Sequence, residues 1–379
     1  MPGIYLHIPF CKQACHYCNF HFSTSLRLKT PMVEAILREL DLQKGYLGGS
    51  EITSVYFGGG TPSLLETSEL QRIFEKIHSL HRVRADAEIT LEANPDDLTL
   101  DKLRDLRDHT PVNRLSIGIQ SFSDADLRWM NRAHTAEHAR LCIENARAVG
   151  FENLTVDLIY GAPTTSDAQW HENVRTVFAL GIPHISCYCL TVEDGTALGS
   201  WVKKGKQPPM DEEKAAQQFE WLIEAAAAEG FEHYEISNFA RPGWRARHNS
   251  SYWSGEKYLG IGPSAHSFDG AARQWNVANN ALYIKTLEAG TIPFEREILS
   301  PTDRYNEYVM TSLRTMWGCD LAKIRELGVG FAEGFERAVQ PFVAAGTVVR
   351  TGEVFTLPAR GKLLADRIAS ELFFSKNDE

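Results

Sequence analysis

Six short apolar, β-branched runs recur through the first half of the chain: Ile4 to Ile8, Ile52 to Phe57, Ala87 to Leu91, Arg114 to Ile119, Leu154 to Ile159 and Ile185 to Leu190. Helical spacing of apolar residues follows each of them, near 31–45, 66–80, 99–108, 136–149, 167–179 and 211–229. A strand followed by a helix, repeated, predicts parallel strands joined by right-handed crossovers. Both a barrel and a doubly wound sheet satisfy that pattern. The unusual residues favour the barrel. Cys11 to Cys18 follow the first run and Gly58-Gly59-Gly60-Thr61-Pro62 the second, while Glu92, Gln120 and Asp157 are read at the ends of the third, fourth and fifth. An open sheet gathers its ligand at one switch point, whereas a barrel collects every βα loop around one mouth.

Composition narrows the class. The 379 residues carry 39 Lys plus Arg against 49 Asp plus Glu, a net charge of −10, which speaks against binding a phosphate backbone in bulk. No stretch reaches the roughly 18 apolar residues of a membrane-spanning helix, and MPGIYLHIPF lacks the basic and apolar regions of a leader. A cytoplasmic protein without stable membrane insertion is expected. The cysteine count is seven, an odd number, and three lie within eight residues. That suits a reduced compartment and metal chemistry better than a disulfide framework. Cys142, Cys187, Cys189 and Cys319 read as small apolar residues, with Cys189 near the mouth.

Three segments are expected: 1–235 as a βα barrel unit, 236–300 as a connecting and covering segment over its mouth, and 301–379 as a carboxyl-terminal unit. The last shows helical patterns near 302–316, 320–327 and 330–345, a hairpin around Thr351-Gly352, and a final helix near 359–373, an α+β order like a winged helix. It holds ten basic residues against eleven acidic ones, hence −1, whereas a DNA reader should be basic. Packing or partner docking is the better reading.

Cys11-x3-Cys15-x2-Cys18 is the strongest chemical signal. Three thiolates so spaced can each hold one iron of a four-iron cubane and leave the fourth iron open. Zinc is the competing reading, with His7, His16 or His21 as a fourth ligand. In that case the chain would be a zinc-containing winged-helix regulator. His7 otherwise reads as structural.

The cysteine spacing, preceded by YLHIPF and followed by GGGTP, resembles the radical S-adenosylmethionine (SAM) superfamily. Within it, YLHIPFCKQACHYCNFHFS, GGGTPSLL, EANPDD, SIGIQSF, MNRAHT, DLIYGAP, HISCYCLTVEDGT and HNSSYW resemble the oxygen-independent coproporphyrinogen III oxidase (HemN) family in its HemW heme chaperone branch, nearly end to end. The resemblance implies a partial (β/α)6, TIM-like barrel and a [4Fe-4S] cluster on Cys11, Cys15 and Cys18. It implies SAM chelated at the open iron, whose sulfonium the reduced cluster can cleave to a 5′-deoxyadenosyl radical. Tyr5, Gly59 and Glu92 match positions near that SAM. Tyr17, Gly60, Thr61, Gln120, Arg132 and Asp157 match positions around a second SAM in the oxidase, and are expected to line the same cavity here. Plainer readings stand beside these: Asp157 as an N-cap or barrel-mouth acceptor, Gln120 as a loop-orienting side chain, Arg132 as a surface ion pair.

Heme is the third ligand that the resemblance implies, passed to an acceptor such as a respiratory hemoprotein, with an electron donor serving the cluster. The HNxxYW motif of this branch stands at His248-Asn249-Ser250-Ser251-Tyr252-Trp253, among Arg241, Arg245 and Arg247. An imidazole can ligate heme iron and guanidiniums can pair with propionates. His248 is therefore the candidate heme ligand, a satisfied histidine being the alternative. The oxidase carries one more cysteine two residues after the third, where this chain has Phe20, and a longer amino-terminal segment before the position of Tyr5. Both differences point from porphyrinogen decarboxylation toward a chaperone that acts as monomer or dimer. No catalytic residue is assigned, and SAM is expected to govern heme transfer rather than substrate turnover.

Overall fold

The structure, a computed structural model, describes residues 2–375. Six parallel strands form its centre: β1 (Gly3–Ile8), β2 (Ile52–Gly59), β3 (Val83–Ala93), β4 (Arg114–Gln120), β5 (Asn153–Tyr160) and β6 (His184–Cys189). They lie side by side in chain order with no reversal, so the sheet has no switch point. Helices α1 (Lys29–Leu42), α2 (Thr67–Leu80) and α3 (Leu100–His109) make the first crossovers. The short α4 (Asp124–Trp129) precedes α5 (Ala136–Ala148) and α6 (Asp167–Ala179). After α7 (Ala197–Lys203), which lies against the cysteine loop through Leu198 and Trp201, α8 (Glu212–Ala228) completes the layer.

Alternation along the strands sorts the chemistry. Ile4, Leu6, Val55, Phe57, Leu91, Leu115, Ile117, Val156 and Ile185 are buried under the helices. Their neighbours, Tyr5, Ser54, Tyr56, Glu88, Glu92, Arg114, Asp157 and Ser186, point to the other face. One face is thus an ordinary apolar core and the other a polar wall.

The sheet is an open arc of twelve strands rather than a closed barrel. On one side β6 pairs antiparallel with β8 (Asn238–Ala240), next to β7 (Glu232–Glu235). On the other, β1 pairs in parallel with β9 (Tyr258–Ile261). The antiparallel β10 (His266–Phe268), β11 (Ala272–Asn276) and β12 (Phe294–Ile298) extend the wall further. Helix α9 (Arg247–Trp253) lies between β8 and β9 in the chain, and α10 (Asn280–Glu288) between β11 and β12.

The segment expected to cover the mouth therefore behaves differently. Its strands lengthen the arc, and α9 packs at the opposite end, where the parallel strands begin. Gly3, the first residue of β1, leaves no room for a Cβ beside Ser54 Oγ and the His248 ring. Glu88 accepts from the Arg247 and His248 amides at 2.9 Å each, which ties the start of α9 to β3. Arg114, 1% exposed, has Nε 4.0 Å from the Glu88 carboxylate and bonds the hydroxyls of Thr90 and Thr155. This floor closes the narrow end of the arc with hydrogen-bonded polar groups.

The carboxyl-terminal part follows the order read from the sequence: α11 (Pro301–Leu313), β13 (Cys319–Asp320), α12 (Leu321–Leu327), α13 (Val329–Ala344), and the hairpin β14 (Val349–Thr351) and β15 (Val354–Thr356). The final helix differs, since it is broken into α14 (Ala359–Lys362) and α15 (Ala365–Glu371). Tyr305, Leu313, Phe335, Phe355 and Ile368 form a second core, distinct from that of the arc. Arg314 links the two parts, bonding Glu235 and lying over the Trp253 ring.

Glu88→Ala leaves Arg114 as an unpaired buried charge and frees two amides of α9. It is expected to cost about 3–5 kcal/mol, read as a lower denaturant midpoint.

Candidate functional site

The mouth of the arc is built from two loops pressed together. Past β1, the chain turns so that Cys11 N bonds Ser23 O at 3.1 Å and Ser23 N bonds Pro9 O at 2.9 Å, closing a loop around Cys15 and Cys18. The loop after β2 lies against its start: Gly60 N donates to Ile8 O at 3.0 Å and Thr61 N to Phe10 O at 2.7 Å. A Cβ on Gly60 would stand 2.6 Å from Phe10 O, and one on Gly59, at φ +101°, 2.5 Å from the His7 ring. Gly60 is required because backbone approaches backbone there, and Gly59 because of its left-handed φ and the His7 ring beside it.

Cys11, Cys15 and Cys18 are free and partly exposed. Among the described residues no three His, Cys, Asp or Glu side chains are drawn together as ligands of a single ion. A cubane takes one thiolate at each of three separate corners, so the thiols need not converge. Their surroundings suit ligation. Arg132 points one guanidinium nitrogen at Cys15 Sγ, 3.3 Å away, and anchors the other on Asn94 Oδ1 at 2.6 Å and Gly118 O at 2.5 Å. Burial opposes its charge, yet Tyr17 and Cys15 outweigh that and hold Arg132 above its ordinary value. Burial pushes the Cys11 thiol up to about 11 and raises that of Cys18 as well, so ligation of a metal would have to displace their protons. Thr61, buried, accepts from Asn94 Nδ2 at 3.1 Å and hydrogen-bonds to Cys11, and Tyr17 hydrogen-bonds to Cys15. This lone cationic partner, the free thiols and the tight glycine cradle make a donor set that fits an iron–sulfur cluster.

Below the mouth the inner wall carries Tyr5, Tyr56, Glu92, Asp157 and Tyr188. Glu92 accepts from Tyr56 OH at 2.7 Å and from Gly59 N at 3.2 Å. Burial pushes its carboxyl up to about 7, the Tyr56 bond works against this, and Asp157 adds to it. Asp157 itself is raised to about 6, by burial first, with Ser186 opposing. Two carboxyls that hold protons near neutrality face one space. Tyr188 is 43% exposed although it sits within the sheet, as expected for a side chain that borders an open cavity.

Several placements differ from expectation. Asp157 lies three residues before the end of β5, opposite Gly118 and Ser186, so it belongs to the wall rather than the rim. Gln120 does end β4, but at φ +70° and beside a register shift, an uncommon backbone for a residue with a Cβ. Arg132 is no surface ion pair. His248 departs furthest from its assignment. It is 1% exposed, its Nδ1 lies 2.8 Å from Ser54 Oγ and its Nε2 2.9 Å from Tyr252 OH. Its ring stacks on Tyr56 at 5.0 Å. With both nitrogens committed and burial lowering its pKa to about 3, His248 is a neutral floor residue and presents no lone pair to heme. His7 is likewise structural, held between Tyr5 OH and His21 O.

Tyr56, Asn94 and Tyr188 were not anticipated. The signal for them was the strand alternation: Tyr56 is two residues past Ser54, Asn94 two past Glu92, and Tyr188 two past Ser186.

Glu92 has a folded-state pKa above its ordinary 4.5. The folded chain binds the extra proton, so its contribution is present at low pH and is lost as pH rises from about 4.5 to about 7. Urea midpoints measured across that range are expected to fall less steeply in Glu92→Gln than in the parent chain.

A family profile described as the radical SAM superfamily matches residues 5–177, and one for the HemN C-terminal domain matches residues 299–364. The chain is 35% identical to the heme chaperone HemW of Mycobacterium tuberculosis, over 98% of this chain and 94% of that one. It is 30% identical to that of Bacillus subtilis, over 97% and 98%. Among solved structures, coproporphyrinogen III oxidase (HemN) from Escherichia coli superposes with a TM-score of 0.85 at 23% identity, covering 98% of this chain and 90% of that one. This last likeness is one of fold.

Proposed function

The chain belongs to the HemW family of radical SAM proteins, and from that premise we propose that it is a heme chaperone, binding heme and delivering it to an acceptor hemoprotein. End-to-end likeness to curated heme chaperones carries the reading. The superfamily brings a [4Fe-4S] cluster and SAM with it. Cys11, Cys15 and Cys18 would hold three irons and leave the fourth to the amino and carboxylate groups of SAM. With both bound, the cluster supplies one-electron chemistry at the sulfonium.

The protein's own groups do the rest. Arg132 hydrogen-bonds Cys15 Sγ and Gly118 O, and so ties the cysteine loop to β4. Gly59 and Gly60 keep the second loop close enough to shape the mouth. Tyr5 and Glu92 face the inner side of that mouth, where a carboxylate can receive a charge-assisted hydrogen bond from an ammonium or a ribose hydroxyl. Tyr17, Thr61, Gln120 and Asp157 border the same space, which supports one continuous cofactor cavity. Residues 1–235 would act as the cluster and SAM unit, 236–300 as the connecting segment and 301–379 as the carboxyl-terminal unit, a division supported by the second core. The acceptor is a respiratory hemoprotein, and an electron donor reduces the cluster. The cytoplasm is the compartment this reading assigns; the free thiols support it, and none of the described helices is long and apolar enough to cross a membrane.

Oxidase turnover is the reading this one displaces. The position of the oxidase's additional cysteine is Phe20, 67% exposed at the rim, and brings an apolar ring in place of a thiol. Cluster-reconstituted protein given SAM, a reductant and coproporphyrinogen III under anaerobic conditions is expected to yield no protoporphyrinogen IX while binding hemin. Product in proportion to protein would overturn the chaperone assignment. Alanine at Cys11, Cys15 or Cys18 is expected to abolish cluster absorption and bound iron after reconstitution, with circular dichroism unchanged.

A further inference from the structure

The twelve-stranded arc ends in β7 on one side and β12 on the other, and the two edges are finished differently. The chain after α11 closes the β7 edge: Ile236 N donates to Arg314 O and Met316 N to Tyr234 O, each at 3.0 Å. No described residue does the same for β12. It pairs with β11 alone, and all five of its residues are exposed. Val277 N donates to Pro293 O at 2.9 Å and Leu299 N to Ala271 O at 3.0 Å, which fixes the phase of that ladder. Backbone groups alternate in direction along an antiparallel strand, so Glu295 and Glu297 turn theirs toward β11, while Phe294, Arg296 and Ile298 turn theirs outward. Among the described residues those outward groups have no partner. A row of unpaired amides and carbonyls is a template for one more strand.

The side chains decide what such a strand must carry. Phe294 and Ile298 share one face and are 46% and 77% exposed; Arg296 between them is paired with Asp269 at 2.8 Å. Glu295 and Glu297 share the other face, and among the described residues neither has an ion pair or a hydrogen-bond partner. Glu297 borders a cavity of about 200 Å³ whose lining includes Leu299, Met310 and Phe373. The Glu307 carboxylate at its wall is already held by Arg273 at 2.7 and 2.8 Å. A residue opposite Glu297 on an added strand would sit in a non-hydrogen-bonded pair, where side chains approach most closely, beside that cavity. A cation on an apolar stem answers both the carboxylate and the apolar lining. A second copy of this chain does not. The antiparallel register that uses all three outward amides sets Glu295 of one copy against Glu297 of the other and Arg296 against Arg296, and like charges directly opposite destabilise a pair.

We propose that the open edge of β12 is a docking site for an extended segment of a partner protein in which Lys or Arg alternates with apolar residues. The segment binds by strand addition, its basic side chains beside Glu295 and Glu297 and its apolar ones beside Phe294 and Ile298. The site lies outside the cofactor cavity, and the inference does not depend on heme binding.

A fluorescein-labelled peptide of sequence TVKVKVT, titrated with the full chain and followed by anisotropy, tests it. Binding should saturate and should slow hydrogen exchange at the amides of Phe294, Arg296 and Ile298. The peptide TVEVEVT should bind at least about tenfold more weakly, equivalent to about 1.4 kcal/mol. A protein carrying both Glu295→Lys and Glu297→Lys should reverse that preference. Arg296→Pro removes the central outward donor without touching the ladder to β11, as proline can on an edge strand, and should weaken binding at least about tenfold. Arg296→Ala loses the same exposed ion pair but keeps the amide, and should stay within about twofold of the parent. Absence of saturable TVKVKVT binding, equal binding of TVEVEVT, or parent-like binding by a folded Arg296→Pro protein overturns the proposal. If Arg296→Pro does not fold, the double lysine protein decides: an unreversed preference overturns it. Dimerisation of the parent in sedimentation, abolished by Arg296→Pro, would make a second copy the occupant and overturn it as well.

Discussion

A curved parallel sheet with a polar inner face has to satisfy that polarity at its closed end, and the Glu88 carboxylate is where this chain does so. Its two oxygens take the first amides of α9, and its charge offsets that of Arg114. Those contacts bring a helix from residue 247 onward beneath strands that begin at residues 3, 52 and 83. Once α9 is in place, His248 stacks on Tyr56, and Tyr56 in turn holds Glu92 at the middle of the wall. The floor thereby positions a carboxyl that faces the mouth. Breaking a buried charge pair on one side is costlier than never having built it, which makes the floor a fixed reference for the groups above it.

The mouth obeys a different constraint, that of close backbone approach. Gly59 and Gly60 permit the loop after β2 to lie on the chain just ahead of Cys11, and Arg132 then clamps the cysteine loop from the opposite direction through Cys15, Asn94 and Gly118. Rigid floor and clamped rim leave between them a wall of ionisable side chains, Tyr5, Glu92, Asp157 and Tyr188. Glu92 and Asp157 hold their protons toward neutrality because both are desolvated, and the Asp157 charge adds to the effect at Glu92. A cavity of this kind suits a cofactor with both charged and apolar parts. The arc is open, and β9 to β12 extend it on the β1 side.

Much of this was legible before any coordinates. The βα rhythm fixed six strands to within a few residues, since apolar alternation and helical spacing are local properties. Cys11, Cys15 and Cys18 announced themselves by spacing, and the glycine run by composition. The errors share a cause. His248 looked like a ligand because its neighbours in the chain are arginines and aromatics, yet its partners in space, Ser54 and Tyr56, are almost two hundred residues away. Asp157 is internal to β5, opposite Gly118 and Ser186, and its place on the inner wall follows from strand pairing rather than from its neighbours in the chain.

Sequence by itself determined the parallel αβ class, the thiolate loop after the first strand and the family, because each depends on periodicity or on residues adjacent in the chain. Tertiary structure alone decided which face each polar residue joins, that the arc stays open, and that His248 is buried with both ring nitrogens bonded. Those outcomes depend on strand registration and on long-range hydrogen bonds, and the choice between a buried, doubly bonded imidazole and an exposed one is made by partners that no local pattern encodes.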